Sequence, residues 1–198
     1  MILFPRMTMR AFLVYSVLTA LGSSALQAAE AGDARKIRDI VIYQDAKFHS
    51  AFPSVVRRPD GELIVAFRRA PDRQALGEKK TSHVDPNSQL VLVRSRDEGA
   101  TWTKEPQLLY AHALGGAQDP CMLQLRDGTI LCPSYGWSFL KPEAMPKLKA
   151  PYLQNAPGVI FLGGFMVRST DGGRTWSGPS YPPHITPEIN LDPYGQPV

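Results

Sequence analysis

An eight-residue segment, SRDEGATW at 95–102, recurs as STDGGRTW at 169–176, 74 residues later. The two copies keep the same five residues at the same spacing: Ser95, Asp97, Gly99, Thr101 and Trp102 against Ser169, Asp171, Gly173, Thr175 and Trp176. A second echo precedes each copy. FPSVVRRPDGELIVAF at 52–67 aligns with DPCMLQLRDGTILCPS at 119–134, setting Pro53 over Pro120 and Asp60-Gly61 over Asp127-Gly128 at an offset of 67. Two independent landmarks at nearly one offset mark an internal repeat, and repeat units bury their apolar faces against one another.

Each unit reads as four strands. In the first, 54–58 and 62–68 flank a Pro-Asp-Gly turn, and 89–95 and 101–109 flank the octet. In the second, the runs are 121–126, 129–135, 159–169 and 175–181. They are rich in Val, Leu, Ile and Phe, which suit a pleated surface, and the turns place Asp and Gly where the backbone must turn left-handed. The 18 Pro and 16 Gly fall between short apolar runs, which favours many strands over long helices. An antiparallel four-stranded unit repeated at a fixed period is built like a propeller blade. The expected fold is all-β, with blades at about 52–109 and 119–182 and the opening of a third.

The octet has a mechanical reading. Its Asp accepts hydrogen bonds from backbone N–H groups further along the turn, its Gly permits a left-handed backbone, its hydroxyls tie the flanks, and its Trp packs beneath. Asp97 and Asp171 are therefore structural residues on this reading.

The pattern S-x-D-x-G-x-T-W resembles the Asp-box of the sialidase-like six-bladed β-propellers, and the resemblance covers roughly residues 40–190. It implies blades of about 70 residues and a closed ring of about 400. Residues 37–198 are then expected to form a partial six-bladed β-propeller, the N-terminal part of a longer protein. A ring left open exposes strand edges, so this length alone is expected to aggregate.

In such enzymes an arginine triad grips the carboxylate of the sugar, an Asp serves as acid/base, and a Tyr–Glu pair supplies the nucleophile. The resemblance carries onto this chain residue by residue. Where the first triad arginine would open the first blade, the chain reads Ser50-Ala51-Phe52-Pro53, so Ala51 removes one prong of the clamp. Arg68 and Arg69 stand after the second strand, where the resemblance implies an arginine beside the reaction centre; a solvated strand-end pair is the other reading. Asp85 lies nine residues before Arg94-Ser95, at the position of the acid/base Asp, although Asp85-Pro86-Asn87 is equally good loop chemistry. An acid role needs a pKa raised by burial or a neighbouring carboxylate, whereas a nearby arginine would lower it and leave Asp85 a spectator. Gln118-Asp119-Pro120 and Trp137 match an Asp-Pro at the second blade's first strand and a Trp after its second strand, both beside the substrate pocket; Trp137 as core is the alternative. The remaining triad arginines and the Tyr–Glu pair belong to later blades. Arg68 or Arg69, Asp85, Asp119 and Trp137 all sit on one side of their blades, so they are expected to converge at the end opposite Asp97 and Asp171.

Other features narrow the function classes. The formal charge is +4 and no basic run exceeds two residues, so there is no nucleic-acid footprint. His49, His83, His112 and His184 lack metal-ligand spacing, and no P-loop, dinucleotide-binding glycine pattern or G-x-S-x-G elbow occurs, so no metal or cofactor is expected. Residues 1–31 read as an export signal: Arg6 and Arg10, an apolar run at 11–21, then small residues. Such a run is shorter than the about 20 residues that span a bilayer, so an exported protein, periplasmic or secreted, with no membrane segment after signal removal is expected. Cys121 and Cys132 flank the Asp127-Gly128 turn; with 125 opposite 130 they lie diagonally on one face, and both a disulfide and a pair of buried thiols stay open. The expected function is that of an exported, sialidase-type glycoside hydrolase acting on terminal sugars of a glycan substrate. The alternatives are a non-catalytic glycan- or protein-binding propeller and an inactive fragment.

Overall fold

A computed structural model describes residues 35–78, 83–148 and 154–182, and the chain divides into two units, Met1–Ile40 and Val41–Val198. The signal segment at 1–31 and the expected opening of a further blade after 182 lie outside the described residues. In the first unit, residues 35–40 have no regular secondary structure, and Lys36 pairs with Asp39 at 2.7 Å on the surface.

Among its described residues the second unit is all-β apart from one 3-10 helix, Pro142–Lys147. Its strands form two antiparallel sheets. The first sheet runs in order β1 (Phe48–Arg57), β2 (Leu63–Pro71), β3 (Gln89–Ser95) and β4 (Gln107–Tyr110). In the second, β5 (Gly116–Ala117) and β6 (Leu123–Gln124) both pair with β7 (Ile130–Phe139), which pairs with β9 (Val159–Ser169), and β9 pairs with β10 (Ser177–Ser180). A short β8 (Gln154–Ala156) adds to β9. With β5 and β6 taken as one interrupted strand, the two sheets share one connectivity.

The first hairpins of the two sheets close alike. Gly61 N–H donates to Arg58 O at 2.9 Å and Arg58 N–H to Glu62 O at 2.8 Å; Gly128 N–H donates to Leu125 O at 3.0 Å and Leu125 N–H to Thr129 O at 2.8 Å. Both loops thus have three residues and end on a left-handed glycine, φ 87° at Gly61 and 86° at Gly128, the form in which a type I turn runs into a glycine bulge. Asp60 and Asp127 each accept the N–H two residues on, at 3.2 and 2.9 Å.

The octets also repeat in three dimensions. The Ser95 hydroxyl donates to Asp97 Oδ1 at 2.8 Å and accepts from Gly99 N–H at 2.8 Å, while Thr101 donates to Asp97 through its N–H (2.9 Å) and its hydroxyl (2.5 Å). Ser169, Asp171, Gly173 and Thr175 reproduce these bonds at 2.8, 2.7, 2.9 and 2.6 Å. Trp102 and Trp176 pack against Gly99 and Gly173, but only the first closes the turn: Trp102 Nε1 donates to Gly99 O at 3.0 Å, whereas buried Trp176 Nε1 has no partner. The hydroxyls and N–H groups around Asp97 hold its carboxyl down to about 2, and Asp171 is held lower still.

The two sheets pack face to face. Ile64, Ala66, Leu90 and Leu92 of the first meet Ile130, Cys132, Phe165 and Val167 of the second in one buried cluster. Each Ile, Leu, Val or Phe among them contributes about 1.5–3 kcal/mol on burial. The other face of the first sheet buries Val65, Phe67, Val91 and Val93 beneath Ile42, Tyr43 and Trp102. Polar stitches close the packing at the octet end, where Arg94 donates to the carbonyls of Gly172 (3.0 Å) and Gly173 (2.6 Å), and Gln107 donates to those of Gly173 and Arg174. Buried Glu62 pairs with Arg58, Arg94 and Arg96 at 2.7, 3.2 and 3.1 Å, and these partners outweigh its burial to keep it ionised.

Several expected boundaries move. The fourth strand of the first unit begins at Gln107 rather than 101, because Thr101 is tied into the octet and Pro106 has no N–H to give a ladder. The strand expected at 121–126 shortens to Leu123–Gln124, and a break that contains Pro120 separates it from Gly116–Ala117. The three-residue turn at 126–128 sets Gln124, not Leu125, opposite Ile130. That shift alters the cysteine reading: both thiols are free, Cys132 is buried with its pKa pushed up to about 12 by desolvation, and Cys121 is exposed rather than buried.

Candidate functional site

Strand direction brings four of the expected residues to one end. Leu63 pairs with Ser95 and Arg69 with Gln89, so Arg68 and the loop preceding β3 lie at the end of the first sheet remote from the first octet. Ile130 pairs with Ser169 and Trp137 with Phe161, so Trp137 lies remote from the second octet.

Arg68 is the centre of this end. It is 1% exposed, and Asp85, Asp119 and Tyr135 lie within electrostatic reach. Burial disfavours its charge, and the two carboxylates offset that cost. Its Nε and Nη2 have no hydrogen-bond partner. Arg69, one residue on, points to the other face by strand alternation. Its guanidinium stacks 3.6 Å above the Phe48 ring and faces Asp45 at 3.8 Å, which suits the strand-end reading of Arg69 and leaves Arg68 as the arginine turned toward Asp85 and Asp119.

Asp85 is 3% exposed and is gripped by Arg73, Nε to Oδ2 at 2.7 Å and Nη2 to Oδ1 at 3.1 Å, while Asn87 N–H donates to Oδ1 at 2.8 Å. Burial alone would raise its pKa, but the Arg73 fork, the Asn87 N–H and the charge of Arg68 prevail and hold it below the usual carboxylate range. Of the two readings of Asp85, acid or arginine-paired spectator, this arrangement favours the second, an ionised anchor. Arg73, which sequence reasoning missed, begins a tight turn in which Glu78 N–H returns to Arg73 O at 2.8 Å, and its Nη1 also reaches Glu78 at 3.1 Å.

The Asp85 loop joins the second sheet through Ser88. The Ser88 hydroxyl is shared between the carbonyls of Asp85 (2.9 Å) and Ala117 (2.7 Å), Gln118 Nε2 donates to it at 3.2 Å, and Ala117 N–H donates to Ser88 O at 3.1 Å. Gly116 permits this approach: a Cβ there would sit 1.9 Å from Asp85 O. Fully buried Gln118 keeps Oε1 unpaired.

Asp119 accepts the Tyr135 hydroxyl on Oδ2 at 3.0 Å and has no partner for the buried Oδ1. Burial first, and then this bond to the Asp119 carboxylate, raise the Tyr135 pKa. Tyr135 and half-buried Trp137 both pack against the Phe161 ring, with centroids 6.0 and 5.0 Å away. Tyr135 was not singled out from sequence, although its place two residues before Trp137 puts both on one strand face. Ala51 stands opposite Arg68 in register. Beside it Phe52 adopts φ 57°, forming a bulge, and its ring meets His83 edge-on at 5.1 Å. Among the described residues no three His, Cys, Asp or Glu side chains gather as metal ligands would.

No protein-family model matches the chain, and no curated protein matches it. Among solved structures it is similar to the crystal structure of a protein of unknown function from Dyadobacter fermentans DSM 18053, at 61% identity and a TM-score of 0.76 over 83% of this chain and 44% of that one. The chain thus spans less than half the length of that protein. Lower similarity is found to the Hadza microbial sialidase Hz136 (21% identity, 66% of this chain and 25% of that chain, TM-score 0.49). Similarity is also found to Zg3597, a family 117 glycoside hydrolase from the marine bacterium Zobellia galactanivorans (13% identity, 78% and 44%, TM-score 0.45).

Proposed function

We propose that this chain is the N-terminal part of an exported, sialidase-like Asp-box β-propeller, and that it supplies one side of a site for terminal sugars of glycans in a glycoside hydrolase. The observation that carries the reading is the buried Arg68 with two unpaired donors, within electrostatic reach of Asp85, Asp119 and Tyr135 at the end opposite both octets. Polar groups left unpaired in burial mark a place that a ligand or ordered water completes. The repeated connectivity and the matching octet bonds support two consecutive blades.

A second reading, a glycan-binding propeller without catalysis, is favoured by one observation: Arg73 keeps Asp85 ionised, which leaves that residue no proton to donate at neutral pH. The test is to express the full reading frame and assay a panel of 4-methylumbelliferyl glycosides beside glycan binding. Turnover that Arg68→Lys lowers by about a hundredfold, a loss in the range of one oriented charged contact, supports the hydrolase. Binding without turnover supports the binder, and the absence of both turnover and binding removes both readings.

A further inference from the structure

Four unpaired atoms at this end define a chemical preference: Arg68 Nε and Nη2, which donate, and Gln118 Oε1 and Asp119 Oδ1, which accept. Among the described residues the fixed charges nearby include no surplus cation: two arginines stand against three carboxylates. Arg68 and Arg73 face Asp85 and Asp119, and Arg73 is already committed to Asp85 and Glu78. Across from Arg68, Ala51 adds no cation.

Building on the glycan-site reading, we infer that this end takes an uncharged, hydroxyl-rich sugar in preference to a carboxylate-bearing one. A hydroxyl donates and accepts at once, so neighbouring hydroxyls can donate hydrogen bonds to Asp119 and Gln118 while accepting from Arg68. A carboxylate only accepts. It would leave both acceptors unpaired and set its charge against Asp119 and Asp85, with one guanidinium free to offset it. The Tyr135–Phe161–Trp137 surface that leads away from Asp119 suits the C–H face of an uncharged ring.

Calorimetric titration of the full-length protein at pH 7 tests the preference, with methyl β-galactoside, methyl α-fucoside and methyl β-glucoside as neutral probes and N-acetylneuraminic and glucuronic acids as charged ones. At least one neutral glycoside should bind about tenfold or more tightly than either acid, a gap of the size set by one charged hydrogen bond. Asp119→Asn should weaken neutral binding and narrow the gap, and Ala51→Arg should strengthen binding of the acids. Acids that bind as well as the neutral sugars, with the gap unmoved by Asp119→Asn or Ala51→Arg, overturn the preference and leave the glycan site standing. Binding of neither class removes the glycan site and the preference with it.

Discussion

Arg73 holds both carboxylate oxygens of Asp85, at 2.7 and 3.1 Å, across twelve residues of chain. The pair fixes the loop that carries Ser88 to the second sheet, and it makes Asp85 the counter-charge of buried Arg68. Arg73→Gln leaves a buried carboxylate without its fork and should cost about 3 kcal/mol, the scale of a broken buried pair, in denaturant unfolding.

The same pair sets a pH dependence. Asp85 has a folded pKa below its unfolded value, so its contribution is fully present above about pH 4 and is lost as pH falls through the folded value. The difference in Tm between wild type and Arg73→Gln should be widest near neutrality and close on acidification toward pH 3. A difference that stays constant down to pH 3 contradicts the assignment.

Gly116→Ala sets a Cβ 1.9 Å from Asp85 O, whereas a Cβ at Gly61 meets nothing within 4 Å. Gly61→Ala should cost about 1 kcal/mol, through its left-handed backbone alone. Gly116→Ala should cost about 3 kcal/mol or more, because backbone rather than a flexible side chain must move. Guanidinium midpoints of the two variants give the comparison, and equal shifts would mean that the loop is not seated against β5.

Asp97 should act on stability and not on the sugar. Asp97→Asn exchanges an acceptor oxygen for an amide in a turn that supplies only donors, so it should lower Tm while leaving glycan affinity unchanged. With a folded pKa of about 2, the wild-type advantage is complete above about pH 4 and fades as pH falls toward 2. Titration calorimetry beside thermal melts separates the two effects.

The thiols offer an independent check of packing. Cys121 is exposed, and Cys132 is buried with a pKa near 12. A thiol-disulfide reagent should therefore label one cysteine quickly in the folded protein and both after denaturation. Rapid labelling of both would place β7 differently.

Much of this was legible in the sequence because turns and strands are local. The octets and the two Asp-Gly turns carry their own hydrogen-bond partners within four residues, so spacing alone located them. Strand alternation and direction then grouped Arg68, Asp85, Asp119 and Trp137 at one end. The missing parts were contacts across sequence distance or across sheets. Arg73 meets Asp85 only once the turn at 72–78 has folded back, the Tyr135 hydroxyl reaches Asp119 across a broken strand, and the need for Gly116 arises only when two sheets meet. Arg68 and Arg69 are indistinguishable as a dipeptide, and the pleat alone separates the buried one from the one stacked on Phe48.

The central claim is that ligand binds at the Arg68 end. Amide chemical-shift mapping of the folded protein during titration with a neutral methyl glycoside tests it most directly. Shifts should cluster at 68–73, 83–88, 116–119 and 135–137, with 58–62, 95–102, 124–128 and 169–176 unmoved. Shifts that gather at the octet end, around Arg58, Asp60, Asp127 and Arg174, would contradict it.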